Sequence, residues 1–426
     1  MTRLHVSWDA QARRVAEAVE ALRSGRFVVV LDDPAREGEG DLIMAAEHVT
    51  PERMAYLLRH SSGIVCVAAD GELLDRLGLP PMTTHSQDRH GTAFTVSVDA
   101  AVGVTTGISA TDRARTVRLL ASPDATPADL ARPGHVFPLR ARPGGVLARR
   151  GHTEAGVDLM RLAGLRHAAV LCELTEDDGS VANREGVLAL AERDGLPVVT
   201  VEDLVAVRRR SGRLVERRCE ARLPTAHGPF RAVSYVSTLT GIEHLALVLG
   251  DVEAGDGVLA RLHSECLTGD VLGSSRCDCG SQLDAALQRI QAAGRGVLVY
   301  QRGHEGRGIG LAGKIAAYAL QDGGMDTVEA NIALGHPADV RDFAEGVQIL
   351  ADLGVRSVRL MTNSPDKIAA FEGHPVAVEE RVPLTVGVNP DNLAYLLTKQ
   401  TRMGHLGEVR ADGTAPLQWV AVGAAG

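Results

Sequence analysis

The spacing of three cysteines constrains this chain more than any other feature. Cys266 is followed, after ten intervening residues, by Cys277-Asp278-Cys279. Cys277 and Cys279 have one residue between them and bridge each other only with strain. Thiolates this close suit a soft or borderline metal ion, usually zinc. A structural zinc site closes with four protein ligands, whereas a catalytic one keeps three and leaves the fourth position to water. On spacing alone both readings stand: a site that activates water, or a structural knuckle with His263 as fourth ligand.

The chain has 426 residues, which predicts two or three domains of roughly 150 residues each. Aromatic residues make up only 3%, so Val, Leu and Ala must fill the cores. A net charge of −9 argues against a general nucleic-acid binder, which is normally basic. Six cysteines in so long a chain do not make a disulfide framework. Cys66 and Cys172 lie in apolar, strand-like runs and read as reduced core residues. The amino terminus lacks the apolar centre of a signal peptide. No apolar run approaches the ~20 residues of a membrane span. These features predict a soluble cytoplasmic protein with neither membrane nor nucleic acid as partner.

In the first half, apolar residues at helical spacing predict a helix over 10–24 and a buried strand over 27–31. The strand runs into Asp32-Asp-Pro-Ala-Arg36-Glu37-Gly38-Glu39-Gly40-Asp41. Extended backbone there would turn Glu37, Glu39 and Asp41 to one side. Carboxylates beside Arg36 suit Mg²⁺ and a phosphorylated or polyhydroxy substrate; the alternative is a solvated acidic turn. Further along, the pattern predicts a helix over 51–60, strands over 64–68 and 92–98, and a basic helix over 112–122. The polar stretch 82–91 is a candidate mobile lid. His135, in Arg132-Pro-Gly-His135, and His152, in Arg149-Arg150-Gly151-His152-Thr153, stand beside Gly and Pro rather than on apolar helical faces. Functional side chains are often displayed in such settings. Glu173 interrupts the apolar run 170–174, where an acid is either paired or working.

These motifs together resemble 3,4-dihydroxy-2-butanone-4-phosphate synthase over residues 10–207. They are Asp-Asp-x-x-Arg-Glu-x-Glu-Gly-Asp, Arg-Pro-Gly-His-Val-Phe-Pro-Leu-Arg, Gly-His-Thr-Glu-Ala and Leu-Cys-Glu-Leu. The resemblance implies conversion of ribulose 5-phosphate to the four-carbon phosphate and formate, with Mg²⁺ or Mn²⁺ held by Glu37 and His152. It implies substrate binding by Arg36, Glu37, Asp41, Arg149, Arg150, Gly151, His152, Thr153 and Glu173, with His135 and Glu173 as the acid–base pair. Gly38 stands where the family usually has asparagine, and Ser86 falls about where an asparagine is common. An altered loop flexibility is expected from Gly38, with activity kept.

The charged stretch after residue 207 reads as a solvated linker. Beyond it the pattern is short and strand-like. The strand 258–263 leads to the cysteines, a helix is predicted over 281–293, and a strand over 296–300. Next comes Arg302-Gly-His304-Glu305-Gly306-Arg307-Gly308-Ile-Gly310, opening a helix. Its glycines allow close backbone approach, the helix start favours anions, and Arg307 suits phosphate. Asp339-Val-Arg341 and Thr362-Asn-Ser-Pro-Asp-Lys367 fall at strand–helix junctions, where α/β sites are usually built.

This half resembles GTP cyclohydrolase II over residues 222–406. The resemblance implies opening of the imidazole ring of GTP, with release of formate and pyrophosphate. It implies Zn²⁺ on Cys266, Cys277 and Cys279. The implied GTP contacts are Arg261, Leu262, His263, Ser264, Glu265, Gln282, Glu305, Gly306, Arg307, Thr327, Thr362 and Lys367. Asp339 would be the proton acceptor, Arg341 the nucleophile toward the α-phosphate, and Tyr318 an active-site tyrosine. Guanidinium is protonated at ordinary pH, so charge stabilisation suits Arg341 better than covalent chemistry. His304 lengthens the glycine loop by one residue, and Ser364 replaces a frequent asparagine.

The expected architecture is therefore an α/β (α+β) two-domain chain, a mixed-sheet synthase domain followed by a zinc-containing α/β cyclohydrolase domain. The expected boundaries are 1–210 for the synthase, 211–221 for the linker, 222–408 for the cyclohydrolase and 409–426 for a tail. Both families imply homodimers, and in the synthase family the dimer interface contributes to the active site. The fusion makes sense in riboflavin biosynthesis. The rivals are a cyclohydrolase with a catalytically weak amino-terminal half and a non-enzymatic zinc- and nucleotide-binding module.

Overall fold

A computed structural model describes residues 8–407, 409, 410 and 412. Most of the tail expected over 409–426 lies outside these described residues. The chain divides into two compact units between Gly212 and Arg213.

The first unit is built on a seven-stranded mixed sheet. Its strands are β1 (Val28–Leu31), β2 (Gly40–Ala45), β3 (Cys66–Ala69), β4 (Val98–Ala100), β5 (Leu130–Arg140), β6 (Ala168–Glu173) and β7 (Val198–Thr200), in the order β4-β5-β3-β6-β2-β1-β7. β1 runs parallel to β7 and β3 to β5, and the other pairs are antiparallel. β1, β2 and β3 are buried at every position, which is why β1, β3 and the part of β2 after Asp41 read as apolar runs. In the register, Asp41 of β2 lies opposite Glu173 of β6. Cys66 of β3 pairs with both Phe137 of β5 and Leu171 of β6. His135 and Glu173 each lie two residues from those partners, at the same end of the sheet.

The second unit holds another seven-stranded sheet. Its strands are β8 (Val215–Thr225), β9 (Gly228–Ser237), β10 (Glu243–Leu249), β11 (Val258–Ser264), β12 (Gly296–Gln301), β13 (Ser357–Met361) and β14 (Ala377–Val382). The order is β14-β13-β11-β12-β10-β9-β8. One half is antiparallel; the other, β12-β11-β13-β14, is parallel. The carboxyl ends of parallel strands are where such sheets bind ligands, and β11 ends there at Ser264, two residues before Cys266.

Two expectations are corrected. Residues 211–221 are not a linker throughout. The preceding helix Val201–Ser211 carries the basic run, and β8 begins at Val215. β8 is an edge strand paired only with β9, exposed along most of its length. Charged residues protect such an edge from further pairing, and that polarity mimics a linker. Residues 92–98 are not a continuous strand: only isolated bridges at Phe94 and Thr95 precede β4. Among the described residues, no helix is long and apolar enough to cross a membrane.

Two candidate active sites

In the first unit, β1 delivers the chain to the acidic loop. Asp32 is buried and closes that loop: its Oδ1 accepts from the Glu39 N–H at 2.9 Å, and Arg36 donates to its Oδ2 at 3.0 Å. Arg36 also pairs with Glu37 at 2.8 Å. Gly38 takes a left-handed φ of +74°, a conformation that asparagine tolerates less readily than glycine. His152 opens the helix His152–Ala163, and its Nε2 donates to the Val30 carbonyl at 3.2 Å. That hydrogen bond leaves the Nδ1 lone pair facing the carboxylates, the arrangement found at metal-bound histidines. Asp32, Glu37 and His152 offer ligand atoms within 4.8 Å of one another. One nitrogen and several carboxylate oxygens suit Mg²⁺ or Mn²⁺. Asp41 Oδ1, buried and without a hydrogen-bond partner among the described residues, lies 3.5 Å from His152 Nδ1. Burial, then Glu173 and Glu39, hold the Asp41 carboxyl well above the usual range. Such crowded acids call for a cation.

The remaining residues surround this cluster at different distances. Glu173 accepts from Ser62 Oγ at 2.8 Å. His135 makes a dyad with Asp99: Nδ1 donates to Oδ2 at 2.7 Å, and the His135 backbone N–H donates to Oδ1 at 2.9 Å. Asp99 thereby fixes the tautomer and leaves Nε2 as a base. A side chain at Gly107 would meet Asp99 Oδ2 at 2.1 Å, so glycine there makes room for the dyad. Arg149 is tied to Glu154 at 2.6 Å, to the His90 carbonyl at 2.8 Å and to Thr92 at 2.9 Å, and so joins the exposed stretch 82–91 to the helix start. Gly151 caps that helix, and Thr153 is buried in its first turn. Arg150 instead pairs with exposed Glu202 at 2.8 Å. Asp32 belongs to the quoted acidic motif but was assigned no role from the sequence, and Asp99, between apolar residues, was missed.

In the second unit the three cysteines converge. Cys266 Sγ and Cys277 Sγ are 3.7 Å apart, and all three sulfurs lie within 4.8 Å of one another. Tetrahedral zinc at Zn–S ≈ 2.3 Å requires sulfurs about 3.8 Å apart, so the cradle fits. A side chain at Gly269 would meet Cys277 Sγ at 2.8 Å and Cys266 Sγ at 3.1 Å. The fourth-ligand reading of His263 is overturned. Its Nε2 lies 3.1 Å from both oxygens of Asp270, which also accepts from Tyr300 at 2.8 Å and from the Cys266 backbone N–H at 3.0 Å. Lys314 donates to Cys266 Sγ at 3.0 Å, Thr268 at 2.8 Å and Glu305 at 2.5 Å. Hydrogen bonds from the other two cysteines and the Lys314 ammonium hold Cys266 down as a thiolate. Tyr318 reaches Thr268 at 3.4 Å.

Two clefts adjoin the cysteines. One, of about 650 Å³, is lined by all three cysteines with Glu305, Tyr318 and Thr327. The other, of about 560 Å³, is lined by Arg261, Gln282, Thr362 and Lys367. Ser264, Arg307, Arg341 and Cys279 border both. Arg307 holds a left-handed φ of +64°, rare for a residue with a side chain. Both its terminal nitrogens are buried without a partner among the described residues. Lys367 donates to the Leu262 carbonyl at 2.7 Å. Burial, then Arg261 and Arg341, push its ammonium well below the usual range; such crowded cations call for an anion. Arg261 reaches Gln282 at 2.5 Å. Glu265 accepts from the Gly303 N–H at 2.8 Å, and Gly306 turns the loop at φ +60°. The Arg341 guanidinium grips both oxygens of Asp339, at 2.9 and 2.5 Å, and donates to Ser264 at 3.2 Å. Against an opposing burial, that pairing raises Arg341 and lowers Asp339, so the guanidinium is a fixed cation. The sequence reading missed Lys314, Tyr395, Lys399 and His405, which sit on helices or a turn without a motif of their own.

Comparison with known proteins gives concordant matches. The family model for 3,4-dihydroxy-2-butanone 4-phosphate synthase matches residues 16–207, and that for GTP cyclohydrolase II matches 216–383. The chain is 56% identical to a riboflavin biosynthesis protein RibBA of Nocardia farcinica, covering 92% of this chain and 95% of the relative. It is 57% identical to the protein of that name in Salinispora arenicola, covering 96% and 97%. A crystal structure of RibBX, a two-domain 3,4-dihydroxy-2-butanone 4-phosphate synthase from A. baumannii, is 34% identical. Its TM-score is 0.63, with 86% of this chain and all of that one covered.

Proposed function

The chain belongs to the RibBA family of riboflavin biosynthesis proteins, a 3,4-dihydroxy-2-butanone 4-phosphate synthase joined to a GTP cyclohydrolase II, and from that premise we propose how its residues divide the two reactions. The synthase converts ribulose 5-phosphate to 3,4-dihydroxy-2-butanone 4-phosphate and formate. The cyclohydrolase converts GTP to 2,5-diamino-6-ribosylamino-4(3H)-pyrimidinone 5′-phosphate, formate and pyrophosphate. We place the functional boundary between Gly212 and Arg213, where the chain divides into its two compact units.

In the synthase half, Glu37 and His152, joined by Asp32, hold Mg²⁺ or Mn²⁺. A divalent ion held there would supply positive charge for an enediolate beside the ketone. Arg36 and Asp41 bind the sugar hydroxyls. The start of the helix His152–Ala163, with Thr153 and Arg149, receives the phosphate. His135, oriented by Asp99, and Glu173, held by Ser62, move the protons. A homodimer, with the interface contributing to this site, fits the place of His135 two strands away from Glu173 in one subunit.

In the cyclohydrolase half, Cys266, Cys277 and Cys279 would hold Zn²⁺, which would supply a Lewis acid able to lower the pKa of water. Glu305 and Thr327 face the guanine side of the substrate. Arg261, Gln282, Arg307, Thr362 and Lys367 take the phosphates. Arg341 stabilises charge at the α-phosphate as a cation rather than attacking it. Asp339 accepts a proton only after loosening its grip on Arg341. A reducing cytoplasm suits six cysteines, none of them in a disulfide.

The observation that carries this reading is the separate convergence of two donor sets, Asp32, Glu37 and His152 in one unit and three cysteines in the other. Formate release by purified protein tests it, with ribulose 5-phosphate plus Mg²⁺ and with GTP plus Zn²⁺ in separate assays. His135→Ala should abolish only the first and Cys277→Ser only the second. Formate from GTP alone would assign the synthase half a weak or lost activity.

A further inference from the structure

The cyclohydrolase family match ends at residue 383, yet chain beyond that point walls the second cleft. Helix Leu393–Arg402 and the turn after it supply Tyr395, Lys399, Met403 and His405 to the lining. The segment is anchored at both ends. Asn392 donates to the carbonyls of Cys277 at 3.4 Å and Gly387 at 2.8 Å. After the helix, the Leu406 N–H donates to the carbonyl of Asn363, the neighbour of Thr362, at 2.8 Å. On its outer side Arg402 pairs with Asp326 and Glu329.

Lys399 points inward from this helix. Its Nζ donates to Asp278 Oδ1 at 3.2 Å, and the other oxygen of Asp278 accepts from Gln282 Nε2 at 2.6 Å. The Tyr395 ring lies 4.9 Å from the Lys399 ammonium and 5.7 Å from the Arg307 guanidinium, so one ring holds two cations side by side. Five cations line the cleft: Arg261, Arg307, Arg341, Lys367 and Lys399. Asp278 is the lining carboxylate, and Arg341 is paired with Asp339. Packing so many positive groups in a low-dielectric cleft is costly unless a polyanion joins them. Cys266, Cys277, Glu305 and Thr327 line the other cleft and not this one. The reacting ring of the nucleotide must lie beside the cysteines, which leaves the cationic cleft for its phosphate chain.

We propose that Lys399 is a phosphate-binding residue of the nucleotide site, holding the β- or γ-phosphate of GTP from the C-terminal helix. Asp278 sets the ammonium in place, and the remaining N–H groups of Lys399 meet the phosphate oxygens. The C-terminal helix thus makes the site selective for a triphosphate over a monophosphate. The proposal rests on the reading that this cleft holds GTP.

The test measures GTP cyclohydrolysis by the full chain, with inorganic tripolyphosphate and GMP as competing inhibitors. For Lys399→Met, the KM for GTP and the inhibition constant of tripolyphosphate should rise about 10- to 100-fold, the weight of a hydrogen bond to a charged group. The inhibition constant of GMP should stay at the parent value, and Lys399→Arg should recover most of the loss. Zinc content and formate release from ribulose 5-phosphate, read on the same preparation, control for folding. Equal weakening of tripolyphosphate and GMP, or none, would overturn the proposal. So would loss of zinc, which would make Lys399 a support for Asp278 between two metal ligands. Arg261→Ala separates the underlying reading: if it leaves the KM for GTP unchanged, the cleft is not the nucleotide site and both claims fall. If it raises KM while Lys399→Met does not, only the role of Lys399 fails.

Discussion

Two half-buried histidines beside the nucleotide clefts show how a single residue's surroundings set its chemistry. Burial, followed by Arg341 and Lys367, pushes His304 down to about 3; burial, followed by Lys399 and Arg341, pushes His405 down to about 2. An unfolded histidine titrates near 6.5. Below that pH the unfolded chain takes up protons that the folded chain refuses, so stability falls as pH falls. The stabilisation is intact above about pH 6.5, and each histidine costs at most about 1.4 kcal/mol per pH unit below it. His405→Gln should flatten the slope of urea stability between about pH 6.5 and 4.5 by up to that amount; an unchanged slope would show that His405 titrates normally. Neighbouring Arg341 and Asp339 form a mutually neutralising pair, with side chains 15% and 19% exposed. Asp339→Asn should lower formate release from GTP by about 10²- to 10⁴-fold, the range for loss of a general base. It should also destabilise the protein by about 3 kcal/mol, because Arg341 is left as an uncompensated charge. Turnover and a urea titration on one preparation measure both.

At the level of elements, strands and glycines decide where these side chains arrive. β11 stops at Ser264 and the chain turns sharply through Leu267–Val271, so that Cys277, just before helix Cys279–Ala293, comes back to Cys266. In the synthase half, β5 passes close against β4 at Gly134, where an added Cβ would lie 2.0 Å from the Val98 carbonyl carbon and 2.2 Å from the Asp99 nitrogen. Both are backbone atoms and neither can rotate away. Gly134→Ala should therefore pry β4 from β5, separate Asp99 from His135 and cost about 3 kcal/mol or more. Formate release from ribulose 5-phosphate should be lost while release from GTP persists. An alanine variant with full synthase activity would show that the strand pair yields without disturbing the dyad. The edge strand β8 carries the opposite lesson. Glu216, Arg217 and Arg218 lie along it, and no local pattern separates such a protected edge from a linker.

At the scale of the whole molecule, two donor sets of different hardness occupy two units, and the chemistry should come apart accordingly. A zinc-selective chelator should abolish formate release from GTP and leave release from ribulose 5-phosphate in Mg²⁺ intact. Zinc alone should restore the former. Loss of both activities on zinc removal would show that the synthase depends on the cysteine cluster. The sequence by itself determined the kinds of ligand and the reactions they serve. Cys266, Cys277 and Cys279, the acidic run from Asp32 to Asp41, and the settings of His135 and His152 are short-range signals, because metal and phosphate chemistry demands particular groups at particular spacings. Only the tertiary structure decided the partners. Asp99 reaches His135 across a strand pair, Lys314 meets Cys266 from 48 positions away, and Lys399 meets Asp278 across 121 positions. It also decided that His263 serves Asp270 rather than the metal cradle. Such contacts follow from how sheets and helices pack, and a lysine on an amphipathic helix reads the same in sequence whether it faces solvent or a nucleotide.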